Sequence, residues 1–424
     1  MMSARGVSVA ALVYHWQVMA DSKLAALQAT AAAPFSTTLE RVRPHTKLIG
    51  LLAVGHLVID VTQGSLPAVL PLLKSTHGLS YAQAATIVLV ANLTSSLVQP
   101  LFGYLSDHAV RRWLLPTSIF MAGAGMALTG IASGYATVLA LVVVMGLGVA
   151  AWHPEGYKTA TSVAGDRKAT ALSWFSLGGN VGIALGPPLI TFLVAAYSLS
   201  GTLGLLLPAL VVGGIILAVL PAITAASTSP RAVEASAARG VNMPGAMGLL
   251  ILVVTLRSWA SLGFVTFVPF YYVDYLQMDP RVVGPALFAF LGAGALATVV
   301  AGPLADRWGA RPFMRWVLVA AVPFGLLFLA TRGVLALVML GLFGAVLTSS
   351  FTVSVVLGQS YLPRNAGMAS GLIVGLAIGA GGLGVAALGW IADQYGLRTV
   401  LLITALLPLA GFAVARFLPA PVER

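Results

Sequence analysis

A few ionisable side chains stand inside long apolar runs, where a charge costs about 2.5–3.5 kcal/mol on insertion scales. His56 and Asp60 are four residues apart, one above the other on a helix, and Gln63 and Gly64 follow. A carboxylate there either binds and releases a proton or hydrogen-bonds a neighbouring helix for packing alone. His153, Pro154 and Glu155 form a second group. Proline removes one backbone donor and bends a helix, and imidazole titrates near physiological pH. Lys158 follows Glu155 by three residues; a pair between them would hold the carboxylate as an anion and weaken a carrier role. Asp60, His153 and Glu155 are therefore the proton-coupling candidates.

Around them, His56, Gln63, Trp152, Lys158, Arg257 and Gln359 are candidates to line a substrate cavity. Arg257 either attracts an anion, balances a buried acid, or extends to an interface about 15 Å from the start of its run. Gln359 and Tyr361 end another run and suit a gate. Trp152, Trp174, Tyr271 and Tyr272 suit substrate contacts or interfacial belts equally. Nothing here reads as a catalytic centre, a cofactor site or a metal site. There is no nucleophile triad, and His-x-Glu alone is too short for zinc. The glycine-rich run 371–384 has no strand before it, so it is no phosphate cradle.

The elements that must hold these residues follow from composition. Of 424 residues, 59% are hydrophobic and 8% charged, against about a quarter charged in soluble domains. Apolar runs of about 20 residues cross a hydrocarbon core. They are unbroken rather than alternating, which selects helices over a barrel. Twelve spans are expected, at 47–71, 82–106, 113–132, 137–164, 168–196, 201–220, 247–273, 282–305, 312–331, 333–361, 365–390 and 397–418. The Ala/Ser/Pro-rich stretch 221–246 reads as a cytoplasmic linker between six-helix bundles 47–220 and 247–424. Residues 1–46 read as a poorly ordered cytoplasmic extension, with Met19 an alternative start.

The net charge of +11 comes from basic residues scattered through short loops, which suits topology rather than nucleic acid. Eighteen of the 23 Lys and Arg fall on the side that holds both termini; four, Lys74, Arg281, Arg332 and Arg398, fall on the other. The positive-inside rule then puts both termini in the cytoplasm. Cysteine is absent, so disulfides and thiolate metal sites are excluded.

A decapeptide recurs. Residues 103–112 read GYLSDHAVRR and residues 302–311 read GPLADRWGAR, each between two apolar runs. Repeated halves are a feature of transporters. The block resembles the loop motif G-x-L-[SA]-D-R-x-G-R-[RK] of the major facilitator superfamily. The first copy departs at His108 and Val110. GNVGIALGPP at 179–188 resembles the glycine-rich motif of superfamily exporters. There Gly182 and Gly186 permit close helix packing, and Pro187 interrupts backbone bonding. GHLVIDVTQGSLPAVLPLL at 55–73, WHPEGYKTA at 152–160 and the run at 359–384 resemble the fosmidomycin resistance protein group; Trp152 stands where that group commonly has Phe.

The resemblance implies an all-α transporter of twelve helices in two pseudo-repeat bundles. It implies proton-coupled efflux of a small molecule by alternating access, with substrate, protons and lipid as partners and a monomer as the functional unit. Proton-symport uptake or metabolite exchange is the alternative within the fold. An integral-membrane enzyme or a sensor is the alternative outside it. The resemblance also makes Asp107, Arg111, Arg112, Asp306, Arg307 and Arg311 a cytoplasmic latch. The basic residues among them are equally served by membrane topology.

Overall fold

The computed structural model describes residues 44–108, 111–165, 168–226, 241–377 and 379–421. The expected extension, apart from its last residues, and the centre of the linker at 227–240 lie outside these.

Among the described residues the chain is helical throughout. The first bundle holds α1 (Thr46–His77), α2 (Tyr81–Asn92, a π-helical turn Leu93–Leu97, then Gln99–His108), α3 (Leu114–Leu128), α4 (Tyr135–Ser162), α5 (Lys168–Tyr197) and α6 (Leu206–Ala226). The second holds α7 (Pro244–Phe270, then a π-helical turn Tyr271–Tyr275), α8 (Val283–Trp308), α9 (Ala310–Ala330) and α10 (Gly333–Tyr361). It ends with α11 (Ala366–Gly371, a π-helical turn Leu372–Ala377, then Gly381–Tyr395) and α12 (Leu397–Ala415). Large apolar side chains such as Phe192, Leu296, Val299 and Val334 stand exposed, as they can where hydrocarbon is the solvent.

By length and hydropathy there are eleven candidate spans, because 171–226 reads as one run of 56 residues. That run is two helices. Ser198 takes φ +53° and opens the 3-10 turn Ser198–Leu205, which reverses the chain. The same turn moves the sixth span from the expected 201–220 to Leu206–Ala226, so the helix enters the expected linker. At its far end α1 runs six residues beyond expectation and stops at Gly78, whose left-handed φ of +61° lets its N–H reach the Lys74 carbonyl.

Within the first bundle α1 packs most extensively on α5. Gly178, Gly182 and Gly186 form a stripe down one face of α5. A Cβ on any of them would run into the α1 carbonyls of Ala53, Leu57 and Val61 respectively. Close approach of this kind is what small residues provide between membrane helices. The two bundles meet through α2 against α11 and α5 against α8.

Candidate functional site

The α1–α5 contact, with α4 alongside, brings together side chains from distant parts of the sequence. His56 is buried, stacks on Phe175 with centroids 4.2 Å apart, and donates from Nδ1 to the Phe175 carbonyl at 2.8 Å. His153 donates from Nδ1 to the Val149 carbonyl, also at 2.8 Å. A carbonyl only accepts, so each Nδ1 carries hydrogen, and in the neutral ring each Nε2 is then an acceptor. The two Nε2 atoms face one another at 3.4 Å. Asp60 places Oδ2 3.5 Å from His56 Nε2 and Oδ1 3.8 Å from His153 Nε2. Asp60 Oδ1 is buried with no hydrogen-bond partner among the described residues. Three acceptors thus converge without a donor. A proton placed on any one of them turns a repulsive contact with its neighbours into an attractive one.

Gly179 of α5 backs the cluster. A Cβ there would lie 2.6 Å from His56 Nε2 and 2.7 Å from Asp60 Oδ2. The next residue, Asn180, lines a cavity of about 230 Å³ between the halves, with Ile183 from α5, Arg257, Ser258 and Ser261 from α7, and Phe351 from α10. Arg257 is buried, its guanidinium 6.0 Å over the Phe351 ring, and its Nε has no partner among the described residues. The cavity therefore offers a cation and hydroxyls within apolar walls.

Glu155 has a different setting. It is fully buried and takes Arg112 Nη1 at 2.5 Å. Arg112 also donates to Thr159 Oγ1 at 2.9 Å and Ser162 Oγ at 3.3 Å. The partner comes from the loop after α2, 43 residues away. The sequence offered Lys158, one turn along the same helix, and gave no sign of Arg112 as the partner. Trp152 is fully buried in the first bundle's core, stacked over Phe175, rather than lining the cavity. Gln63 is half-buried on α1, and Gln359 donates to Ser370 Oγ at 2.9 Å. Tyr361 is buried and donates to the Pro419 carbonyl. Tyr271 and Tyr272 pack beside Phe328 in the second bundle, and Trp174 is exposed.

Of the decapeptide residues, Asp107 lies in the last part of α2, and its side chain is outside the described residues. Arg111 is half-buried, and its Nε has no partner among the described residues. Asp306 and Arg307 are exposed at the end of α8. Arg311 donates to the Leu418 carbonyl at 3.2 Å, and Arg315 to those of Ala415, Arg416 and Leu418, so both serve the C-terminal end of α12.

Polar contacts between the halves gather at the other end. Lys74 pairs with Asp274 at 3.3 Å, and the Tyr81 hydroxyl donates to Asp274 at 3.0 Å. Asp393 accepts from the backbone N–H groups of Tyr81 and Ala82, capping α2 from the opposite half. Neither Asp274 nor Asp393 stood out in the sequence. Each is a lone acid near the end of a span, which reads equally as a solvated terminus.

The chain matches the Major Facilitator Superfamily over residues 52–382 and 250–424. It is 32% identical over 402 residues to the fosmidomycin resistance protein of Escherichia coli (strain K12), covering 92% of this chain and 97% of that one. An uncharacterised transporter of the same superfamily from Bacillus subtilis (strain 168) is 30% identical over 377 residues, 87% of this chain and 92% of its own. Among solved structures, a bacterial homologue of the human lysosomal transporter Spinster, inward-facing and occupied, superposes with TM-score 0.70 at 14% identity. It covers 88% of this chain and 96% of its own. The inward-open xylose transporter of Escherichia coli gives 0.67 at 14% identity, over 88% and 96%. With the family matched across most of its length and twelve helices in two bundles, this multi-pass membrane protein belongs to the Major Facilitator Superfamily of transporters and is not an enzyme.

Proposed function

We propose that the chain is a secondary active exporter that moves a small molecule out of the cell in exchange for protons. The observation that carries this reading is the convergence of His56, Asp60 and His153, three acceptors lacking a donor, next to a cavity between the halves. A transporter couples to protons when the proton affinity of a site depends on which side of the membrane it faces. Asp60 and His153 are the coupling groups, with His56 completing their cluster. Glu155, the third candidate, serves the fold through Arg112. The buried Arg257 gives the cavity a preference for an anionic or amphipathic substrate. The likeness to the Escherichia coli fosmidomycin resistance protein favours export over uptake.

In this reading the bundles 47–220 and 247–424, joined by the cytoplasmic linker 221–246, rock against each other as a monomer in the inner membrane. Both termini are cytoplasmic, and truncation to Met19 leaves transport intact. Asp107 and Asp306 close the cytoplasmic latch in the outward-facing state.

The test is accumulation by inverted vesicles of a panel of anionic and neutral compounds, with the pH gradient imposed or collapsed. Asp60→Asn abolishes gradient-driven accumulation and preserves substrate exchange down its own gradient, because the helices still rock. Accumulation by Asp60→Asn in proportion to the gradient would remove Asp60 from the coupling site.

A further inference from the structure

We propose that His56, Asp60 and His153 form a binding site for a divalent transition-metal ion of the zinc class. Two imidazole nitrogens and one carboxylate oxygen are the ligand types such ions take, with a further coordination position left open. Calcium and magnesium prefer all-oxygen sites, so the two imidazoles select against them.

The spacing fits. Ligands held about 2.0–2.2 Å from a tetrahedral centre lie about 3.3–3.6 Å from one another. The observed separations are 3.4 Å between the two Nε2 atoms, 3.5 Å from His56 Nε2 to Asp60 Oδ2 and 3.8 Å from His153 Nε2 to Asp60 Oδ1. With one oxygen taken from Asp60, all three ligand atoms lie within 4.8 Å of one another. A modest turn of the carboxylate closes the set.

The surroundings are those of a metal site. Each imidazole gives its Nδ1–H to a backbone carbonyl, of Phe175 and Val149, which leaves Nε2 bare and aimed inward. Outer contacts of this kind fix the tautomer and ring orientation of metal-bound histidine. Gly179 supplies the room on the α5 side, since a Cβ there would press on two of the three ligands. Asp60 and His153 keep side-chain exposures of 13% and 22%, so an ion has a way in. His56 and Asp60 sit on α1 and His153 on α4, both in the first bundle, so assembly of the site does not depend on how the halves are rocked.

The test uses the purified full chain in detergent, free of any affinity tag and stripped with chelator. ZnCl2 is titrated by calorimetry, and CoCl2 by its visible d–d absorption. One ion per chain binds, and Co2+ gives the intense bands of a low-coordinate site rather than the pale spectrum of the aqua ion. Asp60→Asn and Gly179→Ala each weaken binding by about tenfold or more, the lower end of what outer contacts alone contribute. His77→Gln, which removes an imidazole elsewhere on α1, leaves binding unchanged. Monodisperse elution of each variant separates loss of the site from loss of the fold.

Absence of binding to the parental chain, or parental affinity in both Asp60→Asn and Gly179→Ala, overturns the site. Binding does not depend on the transport reading. A second arm rests on it: ZnCl2 added to vesicles slows pH-gradient-driven export by the parental protein. Binding in detergent with no effect on vesicle transport keeps the metal site and counts against Asp60 as the coupling group.

Discussion

At Glu155 a carboxylate with no exposure holds a guanidinium at 2.5 Å, and the Thr159 and Ser162 hydroxyls accept from the same guanidinium. Removing one partner of a buried pair costs about 3–5 kcal/mol, because the other charge is left uncompensated. Glu155→Gln therefore lowers the thermal midpoint in detergent, and adding Arg112→Met recovers part of the loss. Proton-driven accumulation, scaled to the amount of folded protein, stays near parental in Glu155→Gln. Loss of gradient-driven accumulation in a well-folded Glu155→Gln would return Glu155 to the coupling role. Sequence spacing could place His56 with Asp60, since four residues make one helical turn. It could not place His153 beside His56, 97 residues away, or Arg112 beside Glu155. Those pairings depend on how α4 packs against α1 and on where the loop after α2 folds, and local periodicity carries no record of either.

Among the elements, α1 and α5 are spaced by glycine rather than by side chains. Gly182→Leu drives a side chain into the Leu57 carbonyl and separates the helices, so the variant should fail to elute as a monodisperse species. Gly50 has open space where its Cβ would be. Gly50→Ala should raise the thermal midpoint slightly, consistent with about 0.5–1 kcal/mol for replacing glycine within a helix. A lower midpoint for Gly50→Ala would mean that this face of α1 meets something. The spans themselves were legible, because an apolar run about 20 residues long has few other uses. Their ends were less so. Hydropathy ended the first span at 71, whereas the helix continues to His77, and it began the sixth at 201, inside the turn Ser198–Leu205. Both true boundaries are set by left-handed backbone at single residues, a feature to which hydropathy is blind.

For the molecule as a whole, Lys74, Tyr81, Asp274 and Asp393 hold the halves together at the end opposite the described termini. Losing a helix cap costs about 0.5–2 kcal/mol, which is about a 2- to 30-fold shift in a two-state population. Asp393→Ala should therefore favour the state open at that end. The chain has no native cysteine, so spin labels on Ser75→Cys and Gln277→Cys report this directly. The distance distribution gains a longer component in Asp393→Ala, and an unchanged distribution would show that the cap does not bias the equilibrium. Ser198 bears on the molecule in another way. A straight helix of the 56 residues in 171–226 would be about 84 Å long, nearly three bilayer cores. With the turn, the chain crosses an even number of times before α7. Without it, every later helix would be threaded in the reverse sense, and Arg307, Arg311, Arg315 and Arg364 would emerge on the opposite face from Arg111 and Arg112. The turn that opens at Ser198 thus sets whether the second half is inserted in the same sense as the first or upside down across the membrane.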